Sequence, residues 1–251
     1  DSAVCNEAVK LAKRPKFAQL SGFVNGVLRN IARNIDSVQF DTLSIQYSMP
    51  QWIVDRFVAA YGEKKAEEIF KAFHSKSTIS IRTNLTRCTP DELRVMLEAE
   101  GVTVTAVDEL NYAFVISGFD YLNGLQSFRD GLFYVQDISS MLVAQTAAPK
   151  KGDYVIDVCA APGGKSTHIA ELLQGSGHVL ARDLTDNKVD MIEENIERHG
   201  LNNMSAEVWD ATVFDADSAG KADILICDLP CSGLGVLGRK KDIRYQMTPE
   251  P

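Results

Sequence analysis

Apolar positions along this chain fall first into a helical rhythm and then, past residue 150, into an alternation of short strands and helices. Phe23, Val27 and Ile31 recur every four residues, with Val24 and Leu28 beside them, which predicts a helix over residues 17–34. Its stripe needs a partner and little chain precedes it, so it reads as the last helix of a helical domain that begins before this sequence. Residues 35–50 are polar and mixed and read as a linker ending in Met49-Pro50. Helices are expected over 51–61 and 63–74, separated by Gly62. A strand follows from Thr78 to Leu85, with Ile79 and Ile81 alternating against polar neighbours. Thr89, Pro90 and Glu92 form a helix start, with Thr89 as N-cap, and that helix ends at Gly101. Val102–Val107 and Ala113–Ser117 read as two more strands, which completes a β-α-β-β order and a small α+β module.

From Gly152 the segments DYVIDVC, HVLARD, SAEVW and ADILICD read as strands. Helices are expected over Ser166–Gln174 and Thr185–His199, the second closed by Gly200. Strands alternating with helices predict an α/β fold with a doubly wound parallel sheet. The chain thus divides into residues 1–34, 35–75, 76–150 and 151–251.

Composition narrows the class. The chain has 251 residues, 45% hydrophobic and 24% charged, in the ordinary range of a soluble globular protein. No apolar run is long enough to span a bilayer, so no membrane partner is expected, and DSAVCNEAVK has no signal-peptide core. It also has no initiating Met. Five cysteines with no C-x-x-C pair argue against a disulfide framework and against a zinc site, and for a reduced, cytoplasmic setting with no metal. A net charge of −8 excludes general electrostatic adhesion to nucleic acid. RNA binding would need local basic positions, of which Arg82, Arg87, Arg129, Arg239, Lys240, Lys241 and Arg244 are the candidates.

The chemistry concentrates in Asp157-Val158-Cys159-Ala160-Ala161-Pro162-Gly163-Gly164-Lys165-Ser166, between a buried strand and a helix. Small residues let the backbone approach a ligand, and a helix start presents free N–H groups. The loop is neither G-x-G-x-x-G nor a Walker loop, because Cys159 stands where the first Walker glycine belongs. Acids end the next strands: Asp183, 20 residues after Gly163, where a ribose-binding carboxylate belongs, then Asp210 and Asp228. This ring suits a ligand with an amine, ribose hydroxyls and an adenine amino group, as in S-adenosyl-L-methionine.

DVCAAPGGKS followed by DLPCSGLG closely resembles the RNA cytosine-5 methyltransferase family, in its bacterial 16S ribosomal RNA branch. FVNGVLRNIAR is similar to the end of a NusB-like RNA-binding domain, Arg82-Thr83-Asn84-Leu85 to the family's R-x-N-x-L segment, and FYVQDISSMLV to the stretch entering the cofactor domain. The resemblance implies a Rossmann-like methyltransferase sheet, incomplete at its C-terminal end, preceded by a small RNA-binding α+β module and the end of a NusB-like domain. It implies that Cys159, Ala160, Ala161, Pro162, Gly163, Gly164 and Lys165 lie against the cofactor. By the same match Asp183 takes the ribose, Asp210 the adenine, and Asp228 lies near the methionine end. It also assigns Cys231, in the Pro-Cys motif, to release of a covalent RNA adduct. The attacking thiol belongs to a later Thr-Cys motif. This sequence has no Thr-Cys dipeptide and ends at Pro251, so the nucleophile is expected beyond it and the chain alone is expected to be inactive.

Competing readings remain. An exocyclic amino methyltransferase would follow its fourth strand with Asp or Asn, two prolines and an aromatic, whereas here Asp228-Leu229-Pro230-Cys231 stands. A non-catalytic RNA-binding piece is the alternative for the chain as it stands. Cys227 reads as core, Cys159 as a small packing residue, and Trp52 and Trp209 as packing. Arg82 and Asn84 share one strand face, either a polar solvent face or an RNA contact together with Arg129 and the Arg239, Lys240, Lys241 cluster.

Overall fold

The helical rhythm of the N-terminal part is realised by two packed helices, α1 (Ser2–Ala12) and α2 (Ser21–Asn34), in a computed structural model that describes residues 2–15, 17–75 and 78–248. The predicted 17–34 helix begins with a separate 3-10 turn, Ala18–Leu20. Its stripe stays open: Phe23 is 71% and Ile31 51% exposed. Within the expected linker lies a short helix, α3 (Leu43–Gln46), whose N-cap Thr42 accepts from the Ile45 N–H at 3.3 Å. Next come α4 (Gln51–Tyr61) and α5 (Glu63–His74), joined at Gly62, whose φ of 77° suits glycine.

By contact the chain separates into Asp1–Ser75 with Leu234–Pro251, and Lys76–Gly233. This partition differs from the four sequence segments. In the first unit Tyr47, Met49, Ile53, Ala66 and Phe70 build a core that also takes in Leu237 and Ile243. Arg244 is buried there. Its guanidinium donates to Leu237 O at 3.2 and 3.0 Å and to Tyr47 O at 3.3 Å, so it is not part of the basic surface the sequence suggested. Arg239, Lys240 and Lys241 remain exposed.

The second unit holds two sheets. β1 (Ile79–Thr83), β2 (Thr103–Val107), β3 (Leu110–Ser117) and β4 (Phe133–Val135) form an antiparallel sheet in the order β2-β3-β1-β4. α6 (Pro90–Ala99) packs on it through Leu93 and Leu97, and α7 (Gln126–Arg129) lies before β4. The capping box at Thr89 forms as expected: its side chain accepts from Glu92 N, and Glu92 answers the Thr89 N–H at 2.8 Å. β4 and the following α8 (Ile138–Ala147) were not legible in the sequence; three-residue strands carry too little periodicity.

The second sheet is parallel, in the order β7-β6-β5-β8: β5 (Tyr154–Asp157), β6 (His178–Asp183), β7 (Met204–Val208) and β8 (Ile224–Ile226). α9 (Gly164–Leu172) and α10 (Asp186–His199) are its crossovers, and Val155, Ile169, Val179, Ala181 and Ile192 fill its core. The chain leaves β5 for β6 and β7 on one side and returns to β8 on the other. The order therefore reverses at the carboxyl end of β5, where open α/β sheets bind their ligands.

Candidate functional site

The loop at that reversal is held from three sides. From β5, Asp157 is 1% exposed, accepts Ser166 Oγ at 2.6 Å, and so fastens the start of α9 to the strand end. Burial raises its pKa, and the bonds from Ser166 and Cys159 N offset part of the rise. From β6, Asp183 Oδ2 accepts the Ala161 N–H at 3.0 Å, while Oδ1 accepts Leu184 N and Lys188 Nζ, each at 2.8 Å. Burial alone would raise the Asp183 pKa, but Lys188 and the two backbone N–H groups hold it below the ordinary carboxylate range. The third support is the antiparallel sheet. Tyr134 OH of β4 donates to Pro162 O at 3.1 Å, and Asn195 Nδ2 of α10 reaches the same oxygen at 2.9 Å.

Gly163 turns the loop with φ 102°, which side-chain-bearing residues rarely adopt. A Cβ at Gly164 would meet the Tyr134 ring at 3.1 Å, so the helix start lies close against β4. Ala160 is pinned by its N–H to Arg182 O at 2.9 Å. The Cys159 thiol is pushed up, first by burial and then by Asp183 and Asp157, which keeps it protonated and unsuited to attack.

The remaining acids also stand at strand ends. Asp210 accepts Thr212 N at 2.9 Å and Thr212 Oγ1 at 2.7 Å in a local turn, with its carboxylate exposed. Asp228 pairs with Lys165 at 2.5 Å across the switch point. Cys231 is exposed. Cys227 is exposed as well, against the expectation of a core residue: β8 is the outer strand of this sheet among the described residues, so its flanks are not covered. Trp209 packs under Arg182, 4.9 Å from guanidinium carbon to ring centroid.

Two sequence-based RNA candidates are corrected. Arg82 on β1 and Asn84 just past its end are both 0% exposed, because α9 covers the first and the end of α10 the second. Arg82 donates to Gln136 Oε1 at 2.8 Å and Thr167 Oγ1 at 3.1 Å and forms an ion pair with Glu171. Asn84 Nδ2 donates to Gly131 O at 2.9 Å, and its Oδ1 accepts Thr86 Oγ1 at 2.6 Å. Both join the two sheets and present nothing to a ligand outside. Arg129 is exposed, bonded to Asn123 O and Gln126 Oε1, each at 2.5 Å. Sequence reasoning missed Tyr134, Asn195 and Lys188. Lys188 alone left a trace, as a cation five residues past a strand-end acid. Among the described residues no His, Cys, Asp or Glu group could hold a metal ion, and no helix is long and apolar enough to cross a membrane.

Comparison with known proteins bears on the same loop. The model of the 16S rRNA methyltransferase RsmB/F family matches residues 144–251, that of the RsmF/B-like ferredoxin-like domain residues 49–119, and that of the NusB family residues 1–33. The chain is 37% identical, across 100% of its length, to the probable ribosomal RNA small subunit methyltransferase B of Bacillus subtilis (strain 168). Its likeness to RsmB/F methyltransferases thus runs along the whole chain. The chain spans 57% of the length of that Bacillus relative. Among solved structures it is similar to PH0851, with a TM-score of 0.79 and 25% identity over 93% of this chain and 54% of that one. NSun6 from Pyrococcus horikoshii, solved with SFG, an analogue of S-adenosylmethionine, shares the fold, with a TM-score of 0.66 and 22% identity over 74% and 71% of the two chains. The loop Cys159–Lys165 lies within the segment matched to the methyltransferase model.

Proposed function

We propose that the chain binds S-adenosylmethionine over Cys159–Lys165 and that the whole protein methylates carbon 5 of a cytosine in 16S ribosomal RNA, in the cytoplasm. The observation that carries the reading is Asp183. It ties the loop backbone to the end of β6 and keeps its carboxylate ionised at the place a ribose would occupy. The residues present fit such a ligand: a small-residue loop for close approach, and carboxylates at Asp183, Asp210 and Asp228 for its hydroxyls and amines. NSun6, of the same fold, was solved with an analogue of that molecule.

When bound, S-adenosylmethionine supplies an electrophilic methyl group. The chain's own residues position and exclude. Asp183 accepts a ribose hydroxyl, Asp210 faces the adenine, and the Lys165–Asp228 pair sets the charge near the methionine end. Carbon 5 of cytosine is a poor nucleophile until a thiolate adds to carbon 6. That attack is assigned to a Thr-Cys segment absent from these 251 residues. Carbon 5 then takes the methyl group, loses its proton, and the carbon 6–sulfur bond breaks as the thiolate leaves. Cys231 serves this last stage. RNA contacts come from Arg129 and the Arg239, Lys240, Lys241 cluster.

Calorimetry with S-adenosylhomocysteine tests the site. Asp183→Ala should weaken binding at least tenfold, since a buried hydroxyl loses a charged acceptor. Unchanged affinity removes Asp183 from the site. The 251-residue chain should give no methyl transfer to RNA. A protein carrying the additional Thr-Cys segment should, and with Cys231→Ser should trap a covalent RNA adduct on a denaturing gel. Turnover by the 251-residue chain itself, abolished by Cys231→Ser without an adduct, would make Cys231 the nucleophile.

A further inference from the structure

Arg182 is a charged residue only 7% exposed, and the methyl transfer described above does not use it. It stands one position before Asp183 in β6, so the two side chains leave opposite faces of the strand. Its register partner on β7 is Glu207, and Arg182 Nε donates to Glu207 Oε1 at 2.6 Å. A pair joining two strands would be complete there. The guanidinium instead reaches past the sheet. Its Nη2 donates to Asp215 Oδ2 at 2.7 Å and to Ser218 Oγ at 3.1 Å, and the Trp209 ring centroid lies 4.9 Å from the guanidinium carbon.

These contacts bracket Asp210: Glu207 and Trp209 precede it in the chain, and Asp215 and Ser218 follow it. The segment between β7 and β8 has neither helix nor strand to fix it. The bonds that Asp210 accepts are local, from Thr212 N and Thr212 Oγ1, and both reach Oδ1. Trp209 N–H holds one end of the segment to Asp183 O at 2.9 Å, and Arg182 gathers the rest. A planar guanidinium with several donors can join these acceptors and stack on an indole at once, which an ammonium cannot. The bonds from Ser218 and then Arg182 hold the Asp215 pKa down to about 2, so this clamp stays ionised at neutral pH.

We propose that Arg182 is a positioning residue that sets selectivity for adenine, by clamping the segment that carries Asp210. It rests on the S-adenosylmethionine reading above, in which Asp210 faces the adenine. The exocyclic amino group of adenine donates to a carboxylate, whereas the carbonyl that replaces it in hypoxanthine is repelled. A carboxylate free to move would turn away from the carbonyl and lose the amino group alike. The test is calorimetry of the 251-residue chain with S-adenosylhomocysteine and S-inosylhomocysteine. The parent should prefer the adenine compound by about tenfold or more. Arg182→Met should weaken binding of the adenine compound about five- to tenfold and leave the hypoxanthine compound within about twofold, so that the preference nearly vanishes. Arg182→Lys, which keeps the charge but not the fork, should behave like Arg182→Met. Asp215→Asn loosens one arm of the clamp and should narrow the preference about threefold, and it decides the matter if the Arg182 variants do not fold. Equal losses for both compounds, or an unchanged preference, would overturn the proposal and leave Arg182 a support of the sheet alone. A parent that binds both compounds equally would also overturn it, by removing Asp210 from the adenine. A parent that binds neither would remove the methyltransferase reading itself, and the role of Arg182 with it.

Discussion

At the scale of single residues, burial decides what each polar side chain can do. Burial, helped by Arg82, holds His168 neutral, and burial also lowers the His199 pKa although Glu171 works against it. In the unfolded chain each titrates near pH ~6.5. Below that value the unfolded state binds protons that the fold refuses, so stability is full above the histidine range and falls as pH drops. For His168 the loss approaches about 1.4 kcal/mol per pH unit, and His199 adds to it in the same direction. Urea unfolding between about pH 7 and about pH 5 should show it, and His168→Gln should remove one histidine's share of the slope. An unchanged slope would show that His168 titrates normally. Asp183 behaves with the opposite sign: its lowered pKa stabilises the fold above the ordinary aspartate range, and that contribution is lost as pH falls below it.

At the scale of elements, local signals were written in the chain and obeyed. The box at Thr89 and Glu92 starts α6, and Leu93 and Leu97 bury its apolar face. Thr89→Ala should cost about 1 kcal/mol in urea unfolding, and Thr89→Ser should recover most of it. Equal losses in both variants would mean the cap hydrogen bond does not carry the effect. The strand-end acids were legible for a similar reason, since a strand of alternating or continuous apolar residues announces its own end. β4 was not, although its Tyr134 supports the cofactor loop, because three residues beside Gly131 offer no period to read.

At the scale of the whole molecule, the Arg82–Glu171 pair joins the antiparallel sheet to α9 within one unit. Breaking a buried pair strands the remaining charge, so Arg82→Met should cost about 3–5 kcal/mol. Arg82→Met with Glu171→Met should recover much of that loss. A double variant as unstable as the sum of the singles would show no coupling. The surface cluster behaves differently. Neutralising Arg239, Lys240 and Lys241 together should leave stability nearly unchanged and flatten the salt dependence of RNA affinity by about 2 in log–log slope. An identical slope removes the cluster from the RNA interface.

The sequence by itself determined the elements with a clear period or cap, the parallel sheet, the small-residue loop and the acids around it. Each depends on neighbours close in the chain. Only the tertiary structure decided what polar residues face. Arg82 on β1 and Asn84 just past its end follow an alternation that is the same for a solvent surface and for a buried polar seam. The difference lies in α9 and the end of α10, more than 80 residues away in the chain, which cover the two side chains and turn an apparent RNA contact into the joint between two sheets. The same physics moved Arg244 inward and Cys227 outward, because burial depends on which element packs alongside and not on the residues adjacent in sequence.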